Sequence, residues 1–249
     1  MSAVMPNTIK ISPLKTLINR EFSSYFATPV AYVFLVIFLV LSGFTTFWLG
    51  NWFEANQPSL TTFFQYHPWL YLVLMPAIAM RTWAEERNSG TIELLLTLPI
   101  ELKHAVFAKF FAAWAFAGVA LLLTMPMWVL VNYLGEPDNG VVFASYVGSW
   151  FMAGAFLAIG TCMSAATRSQ VIAFVMTVVI GLLFMMFGFI NLTGGTGWWV
   201  ELIANLGFIT HFNAIAKGVF DVRDLLYFLS VMAVFIYATM VIIEMKKAD

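Results

Sequence analysis

The sequence predicts an all-α, polytopic membrane protein. It has six transmembrane helices, an amphipathic N-terminal interfacial helix, a cytosolic elbow between spans 2 and 3, and a re-entrant outer hairpin before span 6. Three observations carry this. The 249-residue chain is 61% hydrophobic, where a soluble domain uses roughly 45–50% apolar residues. That surplus falls in long uncharged runs of about the 20 residues a helix needs to cross the hydrocarbon core. When the runs are threaded as spans, Lys and Arg collect on one side.

Residues 1–29 are polar with an amphipathic middle. Leu14, Leu17, Ile18, Phe22, Tyr25 and Phe26 recur at helical spacing, with Lys15, Asn19, Arg20 and Ser23 between them. That pattern suits a helix lying in the membrane interface. Span 1 covers 30–50. It is long and no small-residue cleavage site follows it, which reads as a retained span and not a removed signal peptide. Span 2 covers 67–81 with Pro76 as a kink, and the elbow occupies 82–103. Span 3 covers 105–131 with Pro126 as a second kink. A turn-rich loop at 135–140 leads to span 4, 144–166. Thr167-Arg168-Ser169-Gln170 is a very short connection to span 5, 171–192. Gly194, Gly195 and Gly197 break the helix. The stretch 198–222 is too polar to span but holds two half-length apolar pieces, which fits a re-entrant or interfacial hairpin. Span 6 covers 225–243.

Six spans put both termini on one side. Lys10, Lys15, Arg20, Arg81, Arg87, Lys103, Lys109, Arg168, Lys246 and Lys247 share it, and only Lys217 and Arg223 lie opposite. Ten against two makes the termini and the elbow cytoplasmic.

Several function classes are excluded or disfavoured. A net charge of −1 predicts no nucleic-acid partner. Cys162 is the single cysteine, so no disulfide or thiolate cluster forms within the chain. No phosphate-cradling loop with its Lys-Ser/Thr ending is present, so the chain does not hold ATP itself. His67, His104 and His211 are far apart, and boundary histidines are commoner as interfacial residues than as ligands, so no metal is expected. No charged side chain or histidine lies mid-span, which disfavours a proton-driven transporter or voltage-gated channel. Gly154, Ala158 and Cys162 form a small-residue row suited to helix packing.

The elbow is the chemically dense stretch. Arg81 to Pro99 reads Arg-Thr-Trp-Ala-Glu-Glu-Arg-Asn-Ser-Gly-Thr-Ile-Glu-Leu-Leu-Leu-Thr-Leu-Pro, in a chain only 10% charged. Arg81 and Glu85 can pair on one helix face, and Trp83 and Arg87 can stack. Asn88-Ser89-Gly90 interrupts the helix. Residues 91–98 can form two more turns, with Glu93 near the positive end, until Pro99 stops them. From physics alone this is either a solvated hairpin or a docking element for a soluble partner.

The pattern Arg81, Ala84, Glu85, Glu86, Arg87, Gly90, Thr91, Glu93, Leu94, Leu95 and Pro99, directly after span 2, resembles the permease subunits of ABC-2-type transporters. The six-span plan, the N-terminal helix and the re-entrant stretch are similar too, so residues 1–249 read as one permease domain. The stretch from His211-Phe-Asn to Asp224-Leu-Leu-Tyr-Phe resembles the gliding-motility-associated branch, near the copper-enzyme-maturation permeases. The resemblance implies a location in the cell inner membrane, a dimer with a second permease copy or paralogue, two copies of a separate ABC ATPase, and ATP and Mg bound on that ATPase. It implies that the elbow is a coupling helix, with Arg81, Glu85, Glu86, Arg87, Gly90, Thr91 and Glu93 at the ATPase and Arg168 as a second contact. The chain is then not an enzyme by itself and has no catalytic residue or cofactor of its own.

Four functions compete. One is ATP-driven transport, in the direction of export, by a permease half in membrane lipid. The second is mechanical transmission to an extracytoplasmic accessory protein without translocation. The third is an unpowered channel or secondary transporter, and the fourth a membrane-embedded enzyme. The last would need a nucleophile–base pair at depth, which the spans do not offer.

Overall fold

The computed structural model describes residues 13–54, 57–91, 101–190, 197–218 and 221–246, and these form helices and connections with no strand among them. Helix α1, Pro13–Phe26, turns at Ala27–Thr28 into α2, Pro29–Phe44, which continues as a π-helical turn, Thr45–Leu49. Short α3, Thr61–Gln65, precedes α4, His67–Ala79, and α5, Arg81–Asn88. Then come α6, Leu102–Leu122, α7, Met125–Leu134, α8, Asn139–Ala166, and α9, Gln170–Phe187. Two short helices, α10, Trp198–Ala204, and α11, Phe208–Ala216, lead to α12, Val222–Met245.

Among the described residues, five helical segments are long and apolar enough to cross a membrane: Pro29–Leu49, Leu102–Leu134, Asn139–Ala166, Gln170–Phe187 and Val222–Met245. The stretch read as span 2 is built differently. Its helix is interrupted at Tyr66, because Pro68 has no N–H to continue the ladder and its ring opposes the carbonyl four residues back. A second joint falls at Met80, one turn after Pro76. The apolar part of α4 alone is 13 residues, about 20 Å of helix.

Helix α8 is the axis of the bundle. Its buried side runs from Val142 to Ala165, and α4, α6, α9, α11 and α12 all pack on it. Small residues allow this closeness. An ideal Cβ on Gly160 would sit 2.4 Å from the Ala79 Cβ, and one on Gly154 would meet the Trp114 indole and Met232. Trp114 of α6 and Trp150 of α8 stack at 4.3 Å, and each indole N–H donates to the other's backbone carbonyl at 2.9 and 3.1 Å. The row Gly154, Ala158, Cys162 is buried in this core.

The stretch from α3 to α5 runs parallel to α8. Phe64 packs on Tyr146, His67 bonds Ser149, Ala79 meets Gly160 and Trp83 bonds Ser164. From Tyr146 to Ser164 is 18 residues, about 27 Å of helix. One end of the bundle therefore gathers the end of α1, α5, the start of α6, the end of α8, and Lys246 just past α12. The other gathers Pro58, Gly135, the start of α8 and α11.

Three sequence expectations change in detail. Pro126 does not kink one helix but begins a new one, since the chain breaks at Leu123–Thr124. The loop at 135–140 is shorter than predicted: α8 starts at Asn139 because the Asp138 carboxylate accepts the Gly140 and Val141 N–H groups. In the stretch 198–222, two short helices are joined at Asn205–Gly207, and Gly207 lies against the backbone of Gly188 at the end of α9.

Candidate functional site

Helix α5 begins without a cap of its own, because Met80 has no side-chain acceptor to offer. The Ala79 carbonyl is also taken, by the Thr82 hydroxyl at 2.7 Å. Ser164 of α8 supplies what is missing. Its hydroxyl accepts the N–H groups of Trp83 and Ala84, both at 3.0 Å, and donates to the Met80 carbonyl at 2.8 Å. The joint between α4 and α5 is thus closed by a side chain from span 4.

A second tie comes from Lys109 on α6. Its ammonium bonds Glu86 of α5 at 2.7 Å and Glu21 of α1 at 3.4 Å, and lies 5.3 Å from the centre of the buried Trp83 ring. The cation over Trp83 is therefore Lys109, in place of the predicted Arg87. Burial acts to raise the Glu21 pKa, but Lys109 and Arg20 outweigh it and hold the carboxyl below its usual range. Hydrophobic contacts reinforce the tie: Tyr25 stacks on Phe116 of α6 at 5.1 Å, with Phe26 edge-on to the same ring. The apolar face of α1 thus rests against α6, while Lys15, Asn19, Arg20 and Ser23 stay exposed.

The other elbow residues divide clearly. Arg81 and Glu85 form the expected i,i+4 pair at 3.1 Å, with side chains 41% and 53% exposed, so the pair stabilises by only about 0.3–0.5 kcal/mol. Gly90 has φ +73°, a left-handed stop that glycine accepts without strain. Thr91 is exposed, and the Ser89 hydroxyl lies 2.9 Å from its own. Glu93, Leu94, Leu95 and Pro99 lie outside the described residues.

Arg87, Arg168 and Lys246 form a cationic group that none of the described ion pairs neutralises. Partial burial lowers the Arg87 pKa, and so does Arg168 beside it. Lys246 is lowered by burial and by both arginines. Lys246 donates to the Ala166 carbonyl at the end of α8, and the Arg87 Nε is buried without a partner among the described residues. The structure thus brings Arg87 and Arg168 together, as the sequence reading grouped them, and adds Lys246.

Sequence reasoning missed Ser164, Glu21 and the role of Lys109. Lys109 carried a signal, since a lysine inside the start of an apolar run needs a partner. Ser164 carried none. The histidines bind no shared partner: His67 Nδ1 is 2.7 Å from the Ser149 hydroxyl, and His211 Nδ1 is 2.6 Å from Asp224. No group of three metal-ligating side chains occurs among the described residues.

The described residues thus form a helical bundle with five membrane-length segments and a charged, cross-tied elbow. The family model described as ABC-2 family transporter protein matches residues 72–247, and the chain belongs to that family. No curated protein matches the chain. Membership makes it a permease component of an ABC transporter, a multi-pass membrane protein whose family works with an ABC ATPase subunit.

Proposed function

We propose that this chain is the membrane half of an ATP-driven exporter, and that α5 receives the stroke of a separate ATPase carrying ATP and Mg. The observation that carries this is the double tie on α5. Lys109 links it to α1 and α6, and Ser164 links it to α4 and α8. A push on eight exposed-to-buried residues is thereby delivered to four other helices. Arg87, Arg168 and Lys246 are a basic face beside it that no ion pair among the described residues neutralises, which suits carboxylates on the docking ATPase.

In this reading the chain crosses the inner membrane six times, with α3–α4 as the second crossing, and both termini and the elbow are cytoplasmic. The parallel course of residues 64–83 beside α8 supports that count. Two copies of the permease and two of the ATPase form the complex, and α10–α11 is the outer re-entrant hairpin. Placement among the gliding-motility-associated permeases rests on the resemblance of the stretch 211–228.

Two measurements test the reading. Cys162 is buried, so Cys162→Ala gives a quiet background for single cysteines. Asn88→Cys should resist an impermeant thiol reagent in intact spheroplasts while Glu136→Cys reacts; labelling of Asn88→Cys would reverse the orientation. For coupling, Glu86→Ala removes the Lys109 contact, and Gly90→Pro forces a negative φ at a position that holds +73°. Both should leave the permease inserted yet release or uncouple the ATPase. Wild-type co-purification and ATP turnover in both variants would reduce α5 to a solvated hairpin.

A further inference from the structure

A groove of about 660 Å³ lies between α1–α2 and α4–α5, within the range of sites that hold lipid- or drug-sized ligands. It has two zones. Val33, Phe34 and Ile37 of α2 face Leu74 and Ile78 of α4 along an apolar wall. At the elbow end the lining turns charged, with Glu21, Arg81, Glu85, Glu86 and Lys109. The α2 side is open: Val30, Val33 and Ile37 are 53%, 55% and 42% exposed. That surface belongs to the membrane-length segment Pro29–Leu49, so the groove opens sideways along a span.

We propose that this groove binds a membrane phospholipid whose head carries an ammonium, a zwitterionic aminophospholipid, with its tail along α2 and its head at α5. The charges select the head. Three carboxylates against two cations leave the mouth with an excess negative charge, and Lys109 is already engaged by Glu21 and Glu86. Arg81 and Glu85 are the accessible members. Together they form a dipole that a phosphate and an ammonium match in reverse order, phosphate on Arg81 and ammonium on Glu85. A purely anionic head gains the arginine but meets the carboxylates. Because the head zone is built on α5, movement of the elbow and occupancy of the groove are linked, and each must influence the other.

The proposal deepens the transporter reading by naming a lipid class, and it rests on that reading's membrane placement but not on an ATPase. The test uses the purified full-length chain, reconstituted in equal parts of phosphatidylethanolamine and phosphatidylglycerol, gently extracted, with retained lipid counted by native mass spectrometry. Wild type should retain the ethanolamine lipid over the glycerol lipid by roughly threefold or more, the size of a rim-charge preference. Val33→Trp, at an exposed position that folding does not require, should cut retention of both. Glu85→Lys, also exposed, should turn the preference toward phosphatidylglycerol. Equal retention of the two lipids by wild type would overturn the proposal, as would retention unchanged in both variants. Retention that persists while the ATPase fails to co-purify would leave the groove standing and count against the powered-permease reading alone.

Discussion

The two ends of the bundle are held in different ways. At the end away from the elbow, polar groups bond one another locally. His211 sits between the Asp224 carboxylate at 2.6 Å and the Asn205 carbonyl at 2.8 Å and stacks on Tyr227 at 3.9 Å. Asn139 and Asn132 exchange two hydrogen bonds at 3.0 Å, and the Trp128 indole donates to Asn139 at 2.6 Å. At the elbow end the ties are charged, come from helices distant in sequence, and leave capacity unused. Of the five buried side-chain atoms without a partner among the described residues, Trp83 Nε1, Glu86 Oε2 and Arg87 Nε belong to α5. Buried polar groups are ordinarily paired. Three of the five therefore cluster on one eight-residue helix, and the elbow end is built like half of an interface.

The sharpest way to break this comparison is to remove the charge that links the elbow to the spans. Lys109→Met leaves Glu86 without its described cation and Glu21 with Arg20 alone. A fully buried pair broken in this way costs about 3–5 kcal/mol, and residual solvent at Glu86 brings the expected loss to about 2–3 kcal/mol. The apparent melting temperature in detergent should fall, and ATPase retention should fall with it. The same clasp should loosen in acid. Glu21 has a lowered folded-state pKa, so its contribution is complete above the unfolded value of 4.5 and is lost as pH falls through the folded value. A Lys109→Met protein with unchanged melting and full ATPase retention would remove the distinction between the two ends.

Much of the fold was legible in the sequence because lipid imposes it: apolar runs, Lys/Arg asymmetry and the 3.6-residue pattern of α1 all follow from burial rules. What was not legible is which faces touch. A span is apolar whether it meets lipid or protein, so periodicity does not separate them. The contrast of α8 and α9 makes the point. The most hydrophobic window of α9 has a mean hydropathy of 2.5 yet is 22% buried, while that of α8 has only 1.6 and is 78% buried. The glycines, alanines and serines that lower the value for α8 are what let neighbours approach. The charged elbow was legible as a cluster, and Gly90 as its stop. The ties to Glu21, Lys109 and Ser164 were not, because they join residues about 20 to 90 positions apart through no sequence motif, a separation set by the packing of helices in space.

A smaller effect should appear at the end away from the elbow. His211→Ala leaves Asp224, a nearly buried carboxylate, without its imidazole, at an expected cost of about 1–3 kcal/mol. Because the His211 contacts join only α11, α12 and the Asn205 turn, the variant should destabilise the protein while the permease still present keeps its ATPase. Hydrogen exchange should quicken in α11 and the start of α12 but not in α5. Loss of the ATPase from His211→Ala at equal permease content would mean that this end also governs coupling.

The smallest effect on stability is expected at the exposed Arg81–Glu85 pair, and it separates the readings of the elbow most cleanly. Arg81→Gln and Glu85→Gln each remove one partner of a solvated i,i+4 pair, worth about 0.3–0.5 kcal/mol, so melting should hardly move. If α5 only decorates the membrane surface, ATPase retention should also hardly move. If α5 seats in a partner, the same side chains become desolvated on docking, where truncating one member of a charge pair costs roughly 2–5 kcal/mol. Retention should then fall far more than stability does. Glu86→Gln in the same series marks the opposite case, since Glu86 is bound to Lys109 within the chain and its loss should register in both measurements. A series in which retention follows stability in every variant would show that the elbow acts only by holding the permease together, and the partner-facing half of the comparison would fall.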